Sequence, residues 1–177
     1  VHGKQGSWQV IKRMLEGKPV IVPGDGLTLW TLTHNSDFAR AFIGLMGNVH
    51  AVGETYQVMS EEVLTWNQIH QTIADALGVS FRPCYVPSTL LAMAPAYDFK
   101  GALLGDKANS VVFDTSKLRK AVPDYHASVR FDQGVRNTLA YVMHHQECQS
   151  ADVEFDQWCD RVVEIMQEAE RKIARME

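Results

Sequence analysis

No stretch of this sequence approaches the roughly 20 consecutive apolar residues that a bilayer-crossing helix needs, so no membrane is expected among its partners. Cysteine is scarce: Cys84, Cys148 and Cys159 stand far apart, with no C-x-x-C pair. An odd, scattered set builds no disulfide framework and suits a reducing compartment, so the expected location is the cytoplasm. Positive charge is not in excess either. Seventeen Lys and Arg against 21 Asp and Glu give a formal net charge of -4. That balance disfavours a surface built to neutralise nucleic-acid phosphates, so nucleic acid is not expected as a partner. The opening residues, Val1-His2-Gly3-Lys4-Gln5-Gly6, lack the apolar core of a signal peptide. They also lack an initiator Met, which fits a chain that begins inside a longer protein.

The usual catalytic signatures are missing as well. There is no G-x-x-x-x-G-K-[ST] loop and no G-x-S-x-G elbow. Gly24-Asp25-Gly26 is a lone G-x-G with no third glycine opening a helix, so it reads as a tight turn rather than a phosphate cradle. His144 and Cys148 lie one helical turn apart, but no third metal ligand stands near them. Asp152, Glu154 and Asp156 mimic the start of a calcium loop. It fails where Gln157 replaces the turn glycine and Val163 replaces the bidentate glutamate. These acids fit better at the positive end of a helix dipole.

What is present is an ordinary globular composition, 46% hydrophobic and 21% charged over 177 residues. That length suits one domain spanning residues 1–177. Ser7 caps a first helix that Gly17 closes. Residues 19–23 read as a strand, 27–33 as the strand returning from it, and 35–46 as a helix carrying Phe38, Phe42, Ile43 and Met46. Asp37 can cap or charge-match that helix start. Residues 56–59 read as a strand. Thr65-Trp66-Asn67-Gln68 has the form of a capping box for a helix ending at Gly78. Residues 81–86 read as a strand and Pro87-Ser88 as the start of a helix. Residues 111–113 read as a short strand, Asp114 caps a brief helix, and two longer helices cover 131–145 and about 152–176. The last carries Trp158, Val162, Ile165, Ala169 and Ile173 at helical spacing. The pattern is mixed α and β, helix-rich toward the C-terminus.

Read in order, these segments resemble part of the extended and atypical short-chain dehydrogenase/reductases, the NAD-dependent epimerase/dehydratase family. Gly17-Lys18-Pro19, a short strand, and Gly24-Asp25-Gly26 running without a gap to Asp37-Phe38-Ala39 are similar to that family's G-x-P and G-D-G-T-x-x-R-D-F-V-H-V-D-D-V-A pattern. Gly53-Glu54-Thr55-Tyr56-Gln57-Val58 resembles its G-x-x-Y-N-I/V strand. Asp114-Thr115-Ser116-Lys117 resembles its D-x-S-K element, and Phe131-Asp132-Gln133-Gly134 its next helix start. The resemblance spans roughly residues 5–145 and rests on the order of these elements rather than on any single motif.

The resemblance implies the helix-rich substrate-binding half of such an enzyme, with the Rossmann nucleotide-binding half largely missing from this chain. The parent is then an oxidoreductase or epimerase/dehydratase using NAD or NADP on a small hydroxylated, sugar-like substrate. The other reading is a non-catalytic atypical module that senses a dinucleotide or binds RNA. The family's Y-x-x-x-K pair does not occur, since Tyr97 is followed by Lys100, one position early. No catalytic residue and no bound cofactor are therefore expected of this chain alone.

The substrate side is implied at Trp30, His34 and Gln57. Trp30 is either a ligand-stacking ring or a core aromatic; His34 is either a ligand contact or hydrogen-bonded in place. Two arginines that would grip a diphosphate in sugar-nucleotide enzymes are replaced by Trp30 and Leu103, which cannot make bidentate charged hydrogen bonds. The pattern is closer to atypical members such as those resembling chloroplast stem-loop-binding proteins. The expected partners are the chain's own N-terminal Rossmann domain and a small molecule. Without that domain, the strand at 56–59 leaves an open edge and an apolar patch, so self-association is expected.

Overall fold

The structure is a computed structural model that describes residues 1–176. Its helices are α1 (Trp8–Leu15), α2 (Asn35–Leu45), α3 (Trp66–Leu77), α4 (Ser88–Leu91), α5 (Ser116–Ala121), α6 (Phe131–His144) and α7 (Val153–Ile173). The strands are short: β1 (Val20–Pro23), β2 (Leu29–Trp30), β3 (Leu64–Thr65) and β4 (Pro83–Val86). This is the mixed, helix-rich α/β class expected from the sequence.

The centre of the fold is the parallel pair β1–β4, with Ile21 opposite Cys84 and Val22 opposite Tyr85. Alternation along a strand sends neighbouring side chains to opposite faces, so β1 serves two cores at once. Val20 packs with Met14 of α1 and Ala74 of α3. Ile21 packs with Val86, Leu91, Phe99, Leu103, Phe155 and Cys159. A strand covered on both faces needs an unbroken apolar run, and Val20-Ile21-Val22 supplies one.

Helix ends follow their local chemistry. After α1 the amide of Gly17 bonds to Met14 O at 3.0 Å and that of Lys18 to Arg13 O at 2.9 Å. This is a Schellman closure, and it needs the left-handed φ of 66° that Gly17 adopts. At α3, Thr65 Oγ1 accepts from Gln68 N at 3.1 Å while Gln68 Oε1 accepts from Thr65 N at 2.8 Å. Asp152 caps α7 by accepting from Phe155 N at 3.0 Å, and Gln9 Oε1 accepts from Asp152 N at 3.0 Å, tying that cap to α1.

A charged lock joins the first and last helices. Arg13 is only 2% exposed. Its Nε donates to Pro19 O at 2.9 Å, and its Nη1 donates to Asp156 Oδ1 at 2.6 Å and Asp160 Oδ1 at 2.8 Å. Lys18 Nζ reaches Asp156 Oδ2 at 2.6 Å from the other side. Burial pushes the Asp156 carboxyl upward, but hydrogen bonds from Lys18 and Arg13 more than offset it and hold the group below its ordinary range.

Several segments depart from expectation. Residues 27–33 do not return along β1. Only Leu29–Trp30 is a strand, and it pairs antiparallel with β3. The turn at Gly24-Asp25-Gly26 is pinned to the start of α3, where Asn67 N donates to Gly26 O and Asn67 Nδ2 to Asp25 O, both at 3.0 Å. The chain therefore leaves sideways, and β4 takes the ladder beside β1. Residues 56–59 form no strand because no other described segment offers them a ladder. Residues 111–113 form none either; a single bond from Val111 N to Leu29 O, at 3.1 Å, is all the two-residue β2 provides.

Two helices also turn a different face inward than their apolar residues suggest. In α2 the buried residues are Asp37 and Ala41, while Phe38, Phe42, Ile43 and nearby Met46 face outward, the last two about two-thirds exposed. α7 does so only in part: Phe155, Cys159 and Val163 are buried, Trp158 and Val162 pack half-buried against the same core, and Ile165 and Ile173 are exposed. The segment at 97–110, which has no clear periodicity, contains a π-helical stretch, Lys100–Lys107.

Candidate functional site

A cavity of about 460 Å³ lies between the N-terminal turn, α1, the first turns of α3 and the 96–107 segment. Its walls are mostly apolar and aromatic, with Ile11, Ile69, Ile73, Tyr97, Phe99 and Leu103 among them. The volume falls inside the roughly 300–1,000 Å³ typical of small-molecule sites.

A row of aromatic rings borders this cavity. Trp30 stacks on Trp66 with centroids 5.8 Å apart, Trp66 meets His70 at 6.1 Å, and His70 stacks on Phe81 at 5.6 Å. The antiparallel register sets Trp30 opposite Leu64, two residues before Trp66, and the helical spacing of Trp66 and His70 puts them on one face of α3. Lys107 Nζ sits 5.3 Å from the Trp30 ring centre, a cation–π contact, and also bonds to Asp106 Oδ2 at 2.9 Å.

His70 is the most constrained polar group here. It is 6% exposed, and its Nδ1 lies 2.7 Å from Trp66 O. A carbonyl oxygen only accepts, so Nδ1 carries the proton and Nε2 holds a free lone pair. Burial pushes this imidazole down to about 4, so the ring is neutral at physiological pH.

The three residues implied as substrate contacts do not converge. Trp30 flanks the cavity through Trp66 and Lys107. His34 is the N-cap of α2: its Nδ1 accepts from Ser36 N at 3.3 Å and sits 2.7 Å from Ser36 Oγ. Its ring lies against α6, where only glycine fits, since a Cβ on Gly134 would stand 2.9 Å from His34 Cδ2. Gln57 is exposed on the 52–60 segment. None of Trp30, His34 and Gln57 is itself on the cavity lining.

The three cap residues each hold local structure. Asp37 is fully buried and accepts from Val129 N at 3.0 Å, from Ser128 Oγ at 3.3 Å and from Arg40. Burial opposes its charge, yet these bonds outweigh burial and hold its carboxyl below the ordinary range. It therefore ties α2 to the approach of α6 rather than capping its own helix. Thr65 forms the capping box described above. Asp114 sits one residue before the N-cap of α5 and accepts from Ser116 N at 2.8 Å and Ser116 Oγ at 2.9 Å.

His70, Tyr97, Phe99 and Lys107 were not singled out by sequence reasoning. One signal was available. Trp66, Ile69, His70 and Ile73 share a helical face, and a histidine on such a face is either a satisfied core residue or a group facing a cavity. The metal idea at His144 gains nothing: its Nδ1 bonds to Ala140 O, and no cluster of three or more candidate ligands occurs among the described residues. No described helix is long and apolar enough to cross a membrane.

No family model matches the chain. Among curated proteins it is 27% identical over 122 residues to 2'-dehydrokanamycin reductase of Streptomyces kanamyceticus, covering 69% of this chain and 34% of that protein. It is 32% identical over 66 residues to the chloroplast stem-loop binding protein of 41 kDa b of Arabidopsis thaliana, covering 37% of this chain and 18% of that protein. Among solved structures it superposes on the NAD complex of UDP-glucuronic acid 4-epimerase from Bacillus cereus with a TM-score of 0.59 at 20% identity, over 77% of this chain and 38% of that one. dTDP-glucose 4,6-dehydratase from Bacillus anthracis, also with NAD, gives 0.58 at 21% identity, over 78% and 39%. The chain thus shares its fold with part of these NAD-bound epimerase and dehydratase structures. The chain spans about a third of the length of the curated reductase it matches.

Proposed function

We propose that this chain is the substrate-covering part of an NAD(P)-dependent epimerase, dehydratase or reductase acting on a small hydroxylated molecule. It works against a companion Rossmann part of the same protein that carries the cofactor and the catalytic groups. One observation carries this reading: α2 buries Asp37 and Ala41 and turns Phe38, Phe42, Ile43 and Met46 outward, next to a 56–59 segment whose ladder groups face no strand. A contiguous apolar surface beside an unpaired extended segment is what a helix and strand leave when they belong to a larger sheet domain. The one-third share of the curated reductase is consistent with this.

The residues of this chain do not fit the dinucleotide itself. A diphosphate cradle needs a glycine-rich turn opening directly onto a helix N-terminus. Here the Gly24-Asp25-Gly26 turn leads into extended chain, and the space over Gly26 is filled by the Asn67 side chain, which an added Cβ would overlap. No hydride or proton step is therefore assigned to these residues. Their part is to close over the substrate, exclude water and set its orientation through the cavity walls.

Calorimetric titration tests this. NAD and NADP should give no heat with this chain and stoichiometric uptake with a polypeptide that joins it to the companion part. Tight 1:1 uptake by this chain by itself refutes the reading.

The identity to a chloroplast stem-loop binding protein favours a second reading, a non-catalytic RNA-contacting or dinucleotide-sensing module. The lysines that come nearest to basic clusters in the sequence, Lys12 and Lys18 beside Arg13 and Lys172 beside Arg171, count against RNA. Lys12 is paired to Glu16 at 2.5 Å, Lys18 to Asp156 at 2.6 Å and Lys172 to Glu168 at 2.6 Å. Phosphate contact would have to break these pairs. A salt-sensitive gel shift with a stem-loop RNA would move the balance to this reading.

A further inference from the structure

We propose that the 460 Å³ cavity binds a compact hydroxylated aromatic molecule, its ring against Trp66, Tyr97 and Phe99 and its hydroxyl donated to Nε2 of His70. The binding step rests on the cavity alone and does not depend on the companion part or its cofactor.

The argument begins with His70. The Trp66 carbonyl fixes the proton on Nδ1, so Nε2 accepts and cannot donate. Nε2 has no hydrogen-bond partner among the described residues, and the ring lines the cavity while being 94% buried in packing against Trp66 and Phe81. Nε2 is not among the fully buried unpaired atoms, so it keeps accessible surface and a ligand hydroxyl or N–H can reach it.

The same geometry narrows the ligand. At Nε2 itself, a phosphate or carboxylate would oppose lone pair to lone pair. Trp30, stacked on Trp66, and Leu103, buried in the core, bring ring and aliphatic surface rather than charge to this region. A polyhydroxylated sugar fits poorly too. The wall surface is mostly apolar, with Ile11, Ile69, Ile73, Phe99 and Trp66 on it, and each hydroxyl buried there without a partner lowers affinity. An aromatic ring instead matches the walls, which already stack rings on one another at 5.4 Å in the Tyr97–Phe99 pair. Lys107 and Asp98, both on the lining, supply the polar contacts away from His70. A ring with one or two hydroxyls satisfies this set.

The test compares 2-naphthol, 2-methoxynaphthalene and uridine monophosphate by calorimetry and by tryptophan fluorescence. The first two share size and ring; only the naphthol can donate to Nε2. 2-Naphthol should bind at least tenfold more tightly than its methyl ether, and uridine monophosphate should not compete. In His70→Phe, which keeps the stack on Phe81 and removes the acceptor, the tenfold preference should vanish while both naphthalenes still bind. Equal affinity of the two naphthalenes for the unsubstituted protein overturns the proposal, with no variant needed. So does displacement of 2-naphthol by uridine monophosphate, a preference that survives in a folded His70→Phe protein, or no binding at millimolar concentration. None of these outcomes bears on NAD(P) uptake by the joined polypeptide, so the two readings fail separately.

Discussion

Replacing Arg13 with Met keeps the aliphatic stem and removes the charge from the lock between α1, β1 and α7. The guanidinium donates to Pro19 O, to both the carboxylate and the backbone carbonyl of Asp156, and to the Asp160 carboxylate. Breaking a buried charged pair from one side costs about 3–5 kcal/mol. Two features place this case at the lower end. Asp156 keeps its 2.6 Å bond to Lys18, and Asp160 is 43% exposed and rehydrates once released. The expected loss is about 3 kcal/mol, which for a chain of this length lowers Tm by about 6–12 °C.

The pH dependence gives a second readout. The Asp156 carboxyl titrates below its ordinary value in the folded protein, so the pairing stabilises above the unfolded pKa of about 3.9 and fades as pH falls through the folded value. The gap between the two proteins should stay constant from about pH 7 to 5 and narrow below about pH 4. Circular-dichroism melts across that range measure both effects. A Tm within 2 °C of the parent at pH 7 refutes the reasoning, as does a gap at pH 3 as wide as at pH 7.

Two further outcomes are expected. The outward face of α2 should make the protein self-associate, and Phe42→Glu with Ile43→Lys should return it to a monomer; a parent monodisperse at high concentration in light scattering removes the basis for that expectation. Gly26→Ala should cost about 2–3 kcal/mol, because its φ of 72° penalises a side chain and the new Cβ displaces Asn67 from Asp25 O and Tyr85. Gly53→Ala, with a φ of 80° but open space around it, should cost only about 1–2 kcal/mol, and equal losses in urea melts would contradict the docking role given to Gly26.

Local signals in the sequence carried far where they concern one segment at a time. The capping box at Thr65, the αL closures at Gly17 and Gly78 and the β1 run are each set by chemistry within a few residues, and each is found in place. Pairing was not legible in the same way. Nothing within residues 27–33 states that β1 will be partnered by β4, some 60 residues later, because that choice is made by the Asn67 contacts that turn the chain aside.

Burial failed for a different reason. A helical face of Phe38, Phe42, Ile43 and Met46 reads as core, since periodicity reports that a face is apolar and says nothing of what covers it. The structure instead buries Asp37, a charged residue, by giving its carboxylate donors from Val129, Ser128 and Arg40. The same limit hid the cavity. His70 lies on the apolar face of α3, and its chemistry appears only when the Trp66 carbonyl fixes its tautomer and the 96–107 segment closes opposite it. Both surprises concern polar groups buried on the inward face of a helix. At Asp37 every acceptor oxygen is met from within the chain, and the residue is structural. At His70 one nitrogen is left unmet beside an open volume, and that difference separates a scaffold residue from a binding one.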